Sequence, residues 1–151
     1  MGSNSKVEIR KLEFYDRKIA KNLVWKNFLI YEAPEYSEEG IQTFQSCIND
    51  INFFNQLDFA GAYIENKLVG CIATRNGGSH ISLFFVDGEY HRRGIGRKLF
   101  QHVLESGSSP VITVNSSPYA KEVYHKLGFR DLGSEEVVDG MRFIPMEYRI
   151  E

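Results

Sequence analysis

Near its start the chain interleaves apolar Val7, Ile9 and Leu12 with charged Glu8, Arg10 and Lys11, the pattern of a half-buried strand over 7–12. Ile19, Leu23, Val24, Phe28 and Leu29 then recur at helical spacing. They predict an amphipathic helix with Asp16 as N-cap, ended at Ala33-Pro34 because the residue before proline avoids the helical region. Ser37 predicts the cap of a second helix, with Glu38 and Glu39 in its first turn and Ile41, Phe44 and Ile48 as its apolar stripe. Strand-like runs follow at 59–65 and 67–74, joined across Asn66, and Asn76-Gly77-Gly78 turns the chain into a third at 79–86. Ile95, Leu99, Val103 and Leu104 face one side of the next helix, opposite Lys98, Gln101, His102 and Glu105, and Gly107 ends it. After a buried-looking strand at 111–114, Ser117 and Pro118 predict another helix start. Its inner stripe is Ala120, Val123, Tyr124 and Leu127, with Gly128 at its C-terminal cap. Runs at 135–138 and 141–150 close the chain as a hairpin around Asp139-Gly140.

The resulting order is β-α-α-β-β-β-α-β-α-β-β. Early hairpins followed by a β-α-β unit imply an α/β fold with a mixed sheet and helices on its faces. A length of 151 residues suits a single domain, placed at 6–151, with 1–5 expected to be a disordered start or cloning scar. There is no repeat or linker. The formal charge of −2 gives none of the basic surplus expected of a nucleic-acid binder. Cys47 and Cys71 lie in apolar stretches without CxxC spacing or companion metal ligands, so they read as reduced core thiols, with no metal site. No apolar run reaches the roughly 20 residues of a membrane span, so a cytoplasmic location is expected.

The local exception in charge is informative. An apolar strand runs into a loop carrying His91, Arg92, Arg93, Gly94 and Gly96, followed by Arg97 and Lys98, where a helix begins. Helix N-termini present unpaired N–H groups and partial positive charge, and glycine lets an anion come close to the backbone. The segment therefore reads as a phosphate site or, more plainly, as a solvated basic helix start. A dinucleotide fingerprint would need glycine where Leu99 stands, and a P-loop would need Gly-Lys-Ser/Thr, which is absent.

His91-Arg92-Arg93-Gly94-Ile95-Gly96 resembles the Gln/Arg-x-x-Gly-x-Gly/Ala motif of the GNAT superfamily of acyl-CoA N-acyltransferases, with His in the first place. Phe84-Phe85-Val86 resembles that family's fourth strand. Asn115, Ala120, Val123-Tyr124 and Lys126-Leu127-Gly128-Phe129 resemble its second signature. The resemblance implies a GNAT-like fold and acetyl-CoA as donor. It implies that His91, Arg92, Arg93, Gly94, Ile95, Gly96, Arg97 and Lys98 hold the pyrophosphate, and that Phe85, Val86 and Asn115 hold the pantetheine arm. It implies that Tyr124 is the general acid at the leaving sulfur. Without the resemblance, Tyr124 reads as a packing residue on an apolar stripe and Asn115 as a turn residue.

On the acceptor side an ammonium must lose a proton before it can attack. His80, on the fourth strand, has a suitable ordinary pKa and is the candidate base; the plainer reading is a surface histidine near the glycine turn. Glu32 and Tyr36 lie between the first two helices, a connection that borders the acceptor pocket in similar proteins, and Tyr119 joins them as a substrate-binding candidate. The expected activity is acetyl transfer from acetyl-CoA to a primary amine, on a small molecule or peptide, by direct attack in a ternary complex. The alternatives are a non-catalytic acyl-CoA sensor and a nucleotide-binding structural protein. Dimers are frequent in similar proteins, and neither a nucleic-acid nor a membrane partner is expected.

Overall fold

A computed structural model describes residues 6–150; the expectation for 1–5 lies outside them. β1 (Val7–Lys11) forms one edge of the sheet and pairs antiparallel with β2 (Asp58–Ile64). β2 turns through Glu65 and Asn66, both at positive φ, into β3 (Lys67–Arg75), and β3 pairs antiparallel with β4 (His80–Val86). β4 then lies parallel to β5 (Val111–Ser116), which pairs antiparallel with β8 (Met141–Arg149). The short strands β6 (Arg130–Asp131) and β7 (Glu136–Val138) both pair with β8. The mixed sheet and its helix-covered faces agree with the expected class.

Three helices cover one face: α1 (Arg17–Asn27), α2 (Glu38–Asn49) and α3 (Ile51–Asn55). α4 (Ile95–Ser106) and α5 (Lys121–Leu127) cover the other. This two-sided cover explains why residues 68–73 of β3 are buried without alternation. Val24, Phe28, Phe44 and Phe85 pack in one core, and Val69, Ile72, Ile95 and Leu99 in the other.

Several local expectations change. Asp16 does not cap α1: its backbone is already helical, and its carboxylate accepts a hydrogen bond from the Tyr63 hydroxyl at 2.8 Å. Ile19 and Leu29 are 51% and 42% exposed. The inner stripe is Ala20, Leu23, Val24, Asn27 and Phe28, because a polar residue that satisfies its own hydrogen bonds can hold an inner position. Asn27 does so: Nδ2 donates to the Leu23 carbonyl at 2.9 Å and to Asp87 Oδ1 at 3.2 Å, and Oδ1 accepts from Gly88 N–H at 3.2 Å. Beyond Asn27 the helix widens into a π turn (Phe28–Glu32), then tightens into a 3-10 turn (Ala33–Glu35). α3 was unforeseen; Asp50 caps it by accepting from Asn52 and Phe53 N–H. Ser117 does accept from Ala120 N–H at 3.2 Å, but 118–120 form a turn and α5 starts at Lys121. Cys71 is buried, whereas Cys47 is exposed on the outer side of α2. Among the described residues no helix is long and apolar enough to cross a membrane.

The final hairpin is seated against α2. A Cβ on Gly40 would run into the Gly140 carbonyl oxygen, which is backbone and cannot swing aside. In an open helix Gly→Ala stabilises by about 1 kcal/mol. Here Gly40→Ala is expected to destabilise by about 1–3 kcal/mol, because overpacking outweighs propensity, and denaturant unfolding measures the sign.

A candidate active-site cleft between two diverging strands

β4 and β5 pair only at His80↔Thr113 and Ile81↔Val114, then separate. A cause is visible on the opposite side of β4. The β3–β4 register passes from Ala73↔Leu83 to Thr74↔Ile81, leaving Ser82 as an extra residue. Such a bulge bends the strand that carries it. The divergence opens a cleft of about 430 Å³. Its walls come from Phe84, Phe85 and Val86 of β4, the loop from Tyr90 to the start of α4, the β5–α5 connection with α5, and the π turn.

The open strand edge presents backbone groups to this space. Asp87 N–H donates to Val69 O at 2.8 Å, so Asp87 faces β3, and by alternation Phe85 does too. Phe84 and Val86 therefore direct their N–H and C=O groups to the cleft side. His91 takes one of them: its Nε2 donates to the Val86 carbonyl at 2.7 Å. The irregular first member of the glycine motif thus ties its loop to the end of β4.

Arg92 and Gly94 have positive φ, of 65° and 77°, and the chain enters α4 at Ile95. A Cβ built on Gly94 meets nothing within 4 Å. The space over the α4 N-terminus is therefore open, and the first N–H groups of the helix have no partner within it. Positive partial charge, open approach and Arg92 together fit an anion such as a pyrophosphate.

The opposite wall is aromatic and acidic. The Tyr31 ring lies 5.0 Å from His91 and 5.5 Å from Tyr119, forming a row across three chain segments. The Tyr31 hydroxyl lies where a Cβ on Gly88 would stand. At ordinary helical pitch Glu32 would stand roughly 80° round the axis from Val24, at the flank of the inner face. A π turn closes i→i+5 and advances less per residue, which brings Glu32 back toward that face and onto the cleft. Burial pushes the Glu32 carboxyl up to about 7; a hydrogen bond with the Ser117 side chain opposes the shift and Glu35 adds to it. Glu32 is the only carboxylate among the described residues lining the cleft.

Tyr124 is buried between Phe84, 5.9 Å away edge-on, and Phe129 at 5.3 Å. Burial, and then Glu32, hold its hydroxyl proton more tightly than in water. Below the cleft, Asp87 joins α1 to the end of β4 through Asn27 and through Lys26 Nζ at 3.0 Å. Burial alone would raise the Asp87 carboxyl, but the hydrogen bonds from Lys26 and Asn27 hold it below the usual range.

Of the residues singled out in the sequence, the cleft brings together Glu32, Phe85, Val86, His91, Arg92, Gly94, Ile95, Gly96, Tyr119 and Tyr124. Others stand apart. His80 begins β4, about 13 Å along the strand from Phe84. Its Nδ1 lies 2.7 Å from Thr113 Oγ1, and burial followed by Arg75 holds its pKa below the ordinary value. This placement does not support His80 as the base. Tyr36 donates to the Arg142 carbonyl at 3.0 Å and packs edge-on to Phe28; it is partly buried against the core and lies outside the cleft lining. Asn115 is exposed and pairs with Pro145. Arg93 lies over the Tyr90 ring, Arg97 donates to the Lys126 carbonyl, and Lys98 is exposed, all outside the lining. The sequence reading missed Asn27 and Tyr31, and named Phe84 only as part of the strand that resembles the family's fourth. The signals were there: Asn27 and Tyr31 follow Leu23 at steps of four, and Phe84 shares a strand face with Val86.

No curated protein matches the chain in sequence. Among solved structures, a GCN5-related N-acetyltransferase from Rhodopseudomonas palustris superposes with a TM-score of 0.83 at 20% identity, covering 97% of each chain. A paia N-acetyltransferase from Thermoplasma acidophilum, in complex with coenzyme A, gives 0.75 at 22% identity, covering 95% of this chain and 99% of that one. An aminoglycoside 6'-N-acetyltransferase complexed with coenzyme A gives 0.62 at 15% identity over 95% and 97%. These likenesses establish the fold. Residues 32–150 match the model of the acetyltransferase (GNAT) domain. That span includes Glu32, the diverging strands, the glycine loop and Tyr124, and on it the chain belongs to the GNAT acetyltransferase family.

Proposed function

We propose that the protein transfers the acetyl group of acetyl-CoA to a primary amine, with both substrates held in the β4–β5 cleft. The observation that carries this reading is the continuity of the open β4 edge with the open N-terminus of α4. One is suited to an extended amide-bearing arm and the other to its pyrophosphate. The coenzyme A complexes of the Thermoplasma and aminoglycoside enzymes, which share the fold, support the same donor.

In this reading Arg92 and the amides after Gly94 bind the anion, and Phe84 and Val86 orient the arm by strand-like hydrogen bonds. Tyr124 stays neutral at working pH and donates its hydroxyl hydrogen bond to sulfur as negative charge grows there. A donor buried in low dielectric is worth more than one in water. The Glu32 carboxylate and the faces of Tyr31 and Tyr119 draw a cationic amine into the other side. Neither cysteine lines the cleft, which supports direct attack rather than a thiol-linked acyl enzyme.

Thiol release from acetyl-CoA across a panel of amines tests the activity. Tyr124→Phe is expected to lower kcat by about 10²-fold with little change in CoA affinity, since it removes one transition-state donor. Tight CoA binding with no turnover on any amine would favour the sensor instead. Gly94→Glu places a strained, negatively charged residue at the anion site, and calorimetry should show CoA binding weakened about tenfold or more.

Glu32 makes a third prediction, on stability. Its carboxyl has a folded pKa of about 7 against an ordinary 4.5, so between those values the folded state holds the extra proton. The stabilisation this gives is complete below pH 4.5 and is lost as pH rises through 7. Glu32→Gln should therefore stabilise the fold at pH 8 relative to wild type, by on the order of 1–3 kcal/mol, and give no such gain near pH 4.5. Unfolding curves at the two pH values check this.

A further inference from the structure

Resting on the acetyl-transfer reading, we infer that Glu32 is the general base, taking a proton from the acceptor ammonium on the side of the cleft opposite the α4 N-terminus. Three observations converge. The first is position: the π turn swings Glu32 onto the cleft lining, where Tyr124 also stands. The second is elimination. Glu32 is the only carboxylate among the described lining residues, and the one lining imidazole, His91, has Nε2 committed to the Val86 carbonyl. His80 lies outside the lining and is engaged with Thr113. The third is surroundings. Glu32 is half-buried, and its open surface gives onto the cleft, so a proton taken there has a way out to solvent.

The groups around it define its behaviour. Tyr31 shares its turn, and Glu35 and Tyr36 follow on the 3-10 turn. Ser117 and Tyr119 face it from the β5–α5 connection and Tyr124 from α5, while Arg92 acts on Tyr119 from the glycine loop. Arg142 of β8 is occupied by Glu135 and the Glu35 carbonyl. No lysine or arginine side chain is bonded to Glu32 among the described residues, so its basicity is not quenched by an ion pair. Burial, together with Glu35, places its proton affinity in the range a base needs near neutral pH.

The step balances. Glu32 takes one proton from the ammonium, which frees the nitrogen lone pair. The C–N bond forms and the C–S bond breaks, with the electron pair leaving on sulfur. The second nitrogen proton ends on that sulfur, and the Glu32 proton leaves to solvent, so one proton is released per acetyl group transferred.

The test is the pH dependence of kcat and kcat/KM for wild type, Glu32→Gln and Glu35→Gln, with the best amine of the panel. Wild type should show an acid limb near pH 7. Glu32→Gln should lose kcat by about 10²-fold at pH 7 and regain rate roughly tenfold per pH unit toward the amine's own pKa, since only free amine then reacts. Glu35→Gln should keep the limb but move it to lower pH, because a neighbouring negative charge is removed. Thermal melting and CoA binding of Glu32→Gln confirm that the variant is folded and loaded. A variant that keeps kcat and the limb overturns the assignment, and so does one that raises KM alone, which marks Glu32 as a mere anchor for the cation. Absence of turnover by wild type overturns the parent reading as well, which distinguishes the two failures.

Discussion

The site depends on a sheet that stops pairing halfway along. β4 and β5 share two residue pairs and then part, just where the Ser82 bulge bends β4. Continuous pairing would use the backbone groups of Phe84 and Val86 within the ladder and leave no room between the strands. Divergence exposes those groups, separates α4 from α5, and lets the helix start at Ile95 open toward the gap. Unpaired strand edges are normally a liability, and here the edge is recessed in a cleft between α4 and α5.

The divergence is held open by contacts that join distant parts of the chain. Asn27 and Lys26 fasten α1 to Asp87 at the end of β4, and His91 fastens the glycine loop to Val86. Tyr31 completes the join by packing on His91, Tyr119 and Gly88. These are mostly buried hydrogen bonds and ring contacts, which fix geometry well because leaving one partner unsatisfied costs about 1–3 kcal/mol.

Charge is divided within the cleft. One side carries Arg92 and the α4 N-terminus, and the other carries Glu32. The net charge of −2 conceals this separation. In the proposed reaction this division would draw an anionic donor and a cationic acceptor to opposite ends, with Tyr124 between them. Burial disfavours the ionised form of Glu32, so its raised carboxyl pKa links the folded state to pH.

Local spacing was enough to read the class and the Ser37 cap, whose side chain accepts from Gly40 N–H, and also the hairpins at Asn66 and Asp139-Gly140, the Gly128 helix end and the glycine loop, which need left-handed backbone that few residues adopt. It also marked most of the cleft wall, from Phe85 to Gly96 and at Tyr119 and Tyr124. Spacing put Asn27 in phase with Leu23 but could not show that its polarity would be satisfied inside, by Asp87 and Gly88 some sixty positions further on. Nor could it show that Tyr36 packs against the core rather than the cleft, that His80 stands at the closed end of β4, or that a π turn carries Glu32 inward. Those outcomes rest on contacts between segments far apart in the chain. The sequence by itself determined most of the elements and the glycine loop before α4; the tertiary structure alone decided α3, the π turn and which side chains share the cleft, because strand divergence and helix phase are set by packing across the whole sheet.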